Sequence, residues 1–165
     1  MSHRFADIAF TGAVKAVQEQ YRSRPQNERL QQAGAPHDAL GDAEAAFIAE
    51  RDSFYMATVS ETGWPYVQHR GGPPGFLKVL GPKQLAFADF RGNRQYVSVG
   101  NLMRDDRVSL LFMDYPNRAR LKLLGRVSLI GAEQRETLDR LAVPDYRARV
   151  ERGFLVRVDA FDWNC

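Results

Sequence analysis

From Ser53 onward the chain is a succession of short stretches in which aromatic, β-branched and apolar residues alternate with polar ones, each closed by a turn signal. Few folds accept such a pattern. Phe54-Tyr55-Met56-Ala57-Thr58-Val59, the turn Glu61-Thr62-Gly63 and the returning Trp64 to Gln68 read as a β-hairpin. Further strands are expected at Phe76 to Leu80, Gln84 to Phe90, Arg107 to Met113, Ala119 to Ile130 and Phe154 to Phe161. Gly81-Pro82, Tyr115-Pro116-Asn117 and Gly131 punctuate them. Two helical inserts interrupt the series, at Gln95 to Met103 and Glu133 to Leu141. Strands joined mostly by tight turns, with few helices long enough for a crossover, predict an antiparallel barrel or sandwich rather than a doubly wound parallel sheet.

The N-terminal part reads differently. Thr11 is a plausible N-cap, Val14, Val17 and Tyr21 recur at helical spacing, and Arg22 and Arg24 close the segment before Pro25. Gln26 to Pro36 is polar and expected to be irregular, and a second helix is expected from Asp42 to about Arg51. The expectation is a helical extension over 1–52 packed on a β domain over 53–165. At 165 residues, against about 150 for a typical domain, the chain makes one domain overall.

Composition excludes several classes. Hydrophobic residues at 44% and charged residues at 26% are globular values, incompatible with a disordered or collagen-like chain. A single cysteine, Cys165, cannot form an internal disulfide or a multi-cysteine metal site, so a reducing cytoplasm is the expected location. Apolar runs such as Val108 to Met113 are too short to span a bilayer, and no membrane partner is expected. His3, His37 and His69 show no metal-ligand spacing. Fingerprints for dinucleotide, P-loop, hydrolase-elbow and zinc-protease chemistry are missing, so any chemistry is expected to come from a cofactor.

The net charge of +3 is unremarkable, but its distribution is uneven. Between Arg91 and Arg126 eight cations, seven of them arginine, face three aspartates. Arginine's planar fork suits phosphate or carboxylate, so an anionic ligand is a fair first expectation. In Gln68-His69-Arg70-Gly71-Gly72-Pro73-Pro74-Gly75-Phe76, where a strand leaves the sheet, Gly71 and Gly72 admit a ligand close to the backbone. The same residues also read as a plain loop carrying a solvated arginine. In Phe87-Ala88-Asp89-Phe90-Arg91-Gly92-Asn93-Arg94-Gln95 a strand ends at a glycine turn and feeds a helix. Asn93, Arg94 and Ser98 beside the helix start form a phosphate pocket, or Gly92-Asn93 is only a turn with Arg94 in water. Val97, Leu102 and Met103 read as core packing. Arg118-Ala119-Arg120-Leu121-Lys122-Leu123 reads as an amphipathic strand with a solvated basic face, not a nucleic-acid platform.

Gln68 to Leu77, Phe87-Ala88-Asp89-Phe90-x-Gly92-Asn93-Arg94-Gln95-Tyr96, Asn101-Leu102 and Val108 to Phe112 resemble the pyridoxamine 5′-phosphate oxidase-related family of flavin-binding proteins. The likeness is nearest to a bacterial branch with an N-terminal helical extension, and it runs from Phe10-Thr11 to Asp162-Trp163-Asn164-Cys165. The resemblance implies a mainly β fold, a split β-barrel, that dimerises and holds flavin mononucleotide (FMN) between subunits. It implies that Gln68, His69, Arg70, Gly71, Asp89, Asn93, Arg94 and Ser98 contribute to the cofactor site. Gln68 stands where the oxidase has an arginine, and Asn93-Arg94 where it has an arginine–lysine pair. The C-terminal tryptophan and arginine–leucine–proline elements that hold the vitamin B6 substrate have no counterpart after Gly153. The expectation is therefore a flavin-dependent oxidoreductase on an unidentified small substrate. The alternatives are a barrel holding another planar cofactor, such as a deazaflavin or a haem ligated by His69, and a non-enzymatic arginine-rich binding module.

Overall fold

The computed structural model describes residues 2–32 and 35–164; Cys165 lies outside them. Four helices come first: α1 (Arg4–Ala9), α2 (Gly12–Gln20), α3 (Arg24–Gln32) and α4 (Asp42–Ala49). Strands β1 (Ser53–Val59), β2 (Pro65–Gly71), β3 (Leu77–Gly81) and β4 (Gln84–Phe90) lead to α5 (Val97–Leu102). Then come β5 (Arg107–Asp114), β6 (Ala119–Ile130), α6 (Arg135–Leu141) and β7 (Val150–Asn164). Among the described residues, no helix is long and apolar enough to cross a membrane.

All seven strands form one antiparallel sheet in the order β2-β1-β5-β6-β7-β4-β3. In a flat sheet β1 and β4, four steps apart, would be separated by roughly 19 Å at about 4.8 Å per step. Yet the rings of Phe54 on β1 and Phe87 on β4 meet edge to face with centroids 5.0 Å apart. The sheet is therefore rolled into a barrel around Phe54, Phe76, Phe87, Phe112 and Phe154, all fully buried. It stays split between its edges β2 and β3, which do not pair. Gly125 marks one bend: the β6–β7 register slips between Leu124 and Gly125. A Cβ at Gly125 would lie 2.5 Å from the Arg157 carbonyl oxygen, so only glycine fits this close approach.

Three sequence expectations need correction. The segment from Gln26 was expected to be irregular, but α3 runs through it to Gln32. Pro25 falls in the first turn of α3, where its missing N–H costs nothing, and Gln, Glu, Arg and Leu then sustain the helix. The break instead lies at Arg22, whose left-handed backbone (φ 58°) ends α2. There Ser23 N–H donates to the Gln18 carbonyl and Arg22 N–H to that of Glu19, the paired bonds of a Schellman motif. Second, β2 does not end at Gln68: the hairpin register pairs β1 with β2 from Val59–Pro65 to Ser53–Gly71, so His69, Arg70 and Gly71 are strand residues. Third, β7 starts at Val150, before the expected Phe154, because it continues along β4 as far as Phe90.

The helices before β1 differ in attachment. Leu40 and Ile48, in and before α4, belong to the barrel core, whereas α2 and α3 bury no residue. α1 is held through buried His3, whose ring lies 4.3 Å from that of His37; His37 in turn stacks at 5.0 Å on Phe161 of β7. Burial, and then the neighbouring His37, pull the His3 pKa below its ordinary value, outweighing Asp162 at 3.6 Å.

Candidate functional site

Strand alternation builds one wall of a cavity at the mouth of the barrel. Along β2 the even positions Tyr66, Gln68 and Arg70 turn inward, and the odd positions Val67, His69 and Gly71 are exposed. Arg70 reaches across the split to Asp89 at the end of β4, with N–H···O at 2.7 Å. The two side chains are only 10% and 13% exposed. The Arg70 guanidinium also lies 4.5 Å from the Phe154 ring centroid and 5.6 Å from that of Phe87, and its Nε is buried without a partner. The β4–β7 register sets Arg152 directly opposite Asp89, and the Arg152 Nε stands 3.4 Å from the second carboxylate oxygen. This wall is an ion-pair network laid over aromatic rings.

The facing wall is the segment from Gly92 to Tyr96. Asn93 Oδ1 accepts the Gln95 N–H at 3.1 Å, a local turn, and both Arg94 (φ 63°) and Tyr96 (φ 54°) adopt the left-handed conformation. That backbone at Tyr96 is why α5 starts at Val97 rather than at the expected Gln95. The Arg152 guanidinium lies 4.8 Å from the Tyr96 ring centroid, and the Tyr96 hydroxyl donates to Glu151 at 3.3 Å. Ion pairs around the cavity join Arg70 and Arg152 to Asp89, and Arg152 and Arg91 to Glu151; none engages Arg94 among the described residues. α5 closes one end. Its Asn101 donates to Thr58 on β1 at 2.9 Å, and its Ser98, 1% exposed, donates from Oγ to Gln68 Oε1 at 2.8 Å.

The cavity between these walls is about 240 Å³, and Gln68, His69, Arg70, Gly71, Asp89, Asn93, Arg94 and Ser98 all border it. Their roles diverge on inspection. His69 turns its ring edge to Tyr55 on the outer face of the sheet, with centroids 5.6 Å apart, because it alternates with Gln68 and Arg70. Asp89 and Ser98 are engaged by neighbouring side chains, Arg70 and Gln68. Val97, expected in the core, borders the cavity, and Met103 is exposed; only Leu102 of that trio is buried. In a six-residue helix the buried face is instead Ser98, Asn101 and Leu102, spaced by three and four.

Sequence reasoning missed Tyr66, Tyr96 and Glu151, which also line the cavity. Tyr66 was within reach of the argument, since it sits two residues before Gln68 on the same strand face. Tyr96 closes the motif that carries the resemblance but was taken into a helix, and Glu151 gave no signal because it precedes the expected start of β7. Elsewhere part of the cationic excess is neutralised: Arg107 pairs with Asp105, Arg126 with Asp106 and Asp159, and Lys122 with Asp162. The Arg107 hydrogen bonds hold the Asp105 carboxyl down to about 2.

No curated protein matches the chain. Solved structures share the fold at low identity. A putative pyridoxamine 5′-phosphate oxidase from Lactobacillus delbrueckii superposes with TM-score 0.58 at 16% identity, covering 76% of this chain and 94% of that one. An FMN-binding protein from Syntrophomonas wolfei gives 0.51 at 13%, covering 93% and 98%, and an F420 reductase gives 0.52 at 20%, covering 74% and 98%. The family model described as pyridoxamine 5′-phosphate oxidase matches residues 40–158, from the buried Leu40 that opens the barrel core to Val158 on β7. The split barrel and the matched span together place the chain in the pyridoxamine 5′-phosphate oxidase family.

Proposed function

We propose that the cavity binds FMN and that the protein is a flavin-dependent oxidoreductase acting on a small organic substrate. One observation carries the reading: Arg94 is a cation without a carboxylate partner among the described residues, on a cavity whose other charges are matched in pairs. A phosphate monoester supplies the missing anion, and a charge-assisted bond to arginine is among the stronger polar contacts available. The donor set also fits a planar heterocycle. Arg70 is held rigidly by Asp89 beside the rings of Phe87 and Phe154, and the Gln68 carboxamide faces the cavity. When bound, FMN supplies electron transfer; the protein's part is to bind the phosphate at Arg94, orient the ring against β2, and hold donors near its polar edge.

Homodimerisation with the flavin between subunits belongs to the same proposal. Beside the cavity, the outer face of β1 and β2 carries exposed Val67 and His69 with Tyr55, whose hydroxyl meets that of exposed Tyr115 at 3.2 Å. A second subunit covering this aromatic face would shelter the site.

The visible absorption spectrum of the purified protein, with mass identification of the chromophore released by heat, tests the assignment. Flavin bands and FMN in the supernatant are expected. A deazaflavin, a haem band, or a colourless protein that takes up no added FMN would each overturn it.

A further inference from the structure

Sequence reasoning set Ser98 beside the cofactor phosphate, but its hydroxyl is already committed elsewhere. Ser98 is 1% exposed, and its Oγ donates to Gln68 Oε1 at 2.8 Å. It is not free to swing away, because α5 is fixed to β1 by the buried Asn101–Thr58 hydrogen bond one turn later. A carboxamide has an acceptor end and a two-donor end. With the oxygen engaged by Ser98, the end of Gln68 left for a ligand is Nε2, carried by a half-buried side chain that lines the cavity on the same strand face as Tyr66 and Arg70.

We infer that Ser98 is a positioning residue: it fixes the Gln68 carboxamide with its NH2 toward the ligand, so that this wall donates to a carbonyl or imine acceptor of a heterocyclic ring. The inference rests on the flavin reading and sharpens it. A swivelling glutamine could offer either end, whereas one whose oxygen is held selects ligands that present an acceptor there. Arg94 then serves the phosphate, and the Ser98–Gln68 pair serves the ring.

Riboflavin, which has the ring but no phosphate, separates the two placements of Ser98. In equilibrium titrations with FMN and with riboflavin, Ser98→Ala and Gln68→Ala are each expected to weaken both ligands by the same factor, about tenfold, the size of one lost hydrogen bond. Ser98→Thr, which keeps the hydroxyl, is expected to restore most of the affinity. Combining Ser98→Ala with Gln68→Ala should cost no more than Gln68→Ala alone, since the two residues act as one unit. The visible band of bound flavin is expected to shift in Ser98→Ala, a readout that loss of packing alone would not move. The inference is overturned if Ser98→Ala weakens FMN but leaves riboflavin unchanged, which would return Ser98 to the phosphate. It is also overturned if neither ligand responds. A wild-type protein that binds neither flavin would instead bring down the flavin reading itself.

Discussion

The two walls of the cavity are built on opposite principles. The strand wall of β2 and β4 is locked before any ligand arrives: Arg70 is spent on Asp89 across the split, Gln68 on Ser98, and the guanidinium lies over buried rings. The loop wall from Gly92 to Tyr96 holds two non-glycine residues in left-handed backbone and one cation without a carboxylate partner among the described residues. Left-handed backbone costs roughly 1–2 kcal/mol per residue, and it persists here at the edge of a cavity. The ion pairs are therefore concentrated on the strand wall, and the cation without a carboxylate partner among the described residues stands on the loop wall. Substitutions on the two sides should separate stability from ligand affinity.

Arg70→Ala should have the largest effect on stability. Removing one partner of a largely buried ion pair costs about 3 kcal/mol, at the low end of the usual range because Asp89 keeps Arg152. In a domain of this size that lowers the melting temperature by roughly 6–12 °C, measurable by circular dichroism. A fall of only a degree or two would show that the strand wall is not locked.

Arg94→Ala should do the reverse. The melting temperature without ligand stays close to wild type, while the concentration of FMN needed to raise it grows about 10–100-fold, the worth of one charge-assisted hydrogen bond. A large loss of intrinsic stability in this variant would erase the contrast between the walls.

Arg94→Gly gives the smallest and sharpest comparison. It removes the same charge as Arg94→Ala, but glycine accepts φ 63° without a Cβ penalty. It should be more stable than Arg94→Ala by about 1 kcal/mol, or roughly 2–4 °C. Equal melting temperatures would mean that the loop carries no backbone strain at this position.

The same contrast shows what the sequence could disclose. Period-two alternation located all the strands, and the residues singled out around Gln68 and Arg94 do border one cavity. The inward turn of Gln68 and Arg70 and the outward turn of His69 were hidden because β2 was expected to end at Gln68, and alternation has meaning only within a strand. The Arg70–Asp89 bond was invisible for another reason. It joins an edge strand to one five steps away in the sheet, a contact made only by barrel closure and written in no local pattern. On the loop wall, arginine and tyrosine are not the residues that usually announce left-handed backbone, so the start of α5 was set two residues early.

Equilibrium titration of the purified, cofactor-stripped protein with FMN, followed by quenching of flavin fluorescence, tests the central claim most directly. Saturable binding of one FMN per chain is predicted, with Arg94→Ala weaker by at least about tenfold and Arg70→Ala still folded at the temperature of the assay. An absence of saturable binding, or equal affinity in wild type and Arg94→Ala, would contradict the assignment of this cavity to a flavin phosphate.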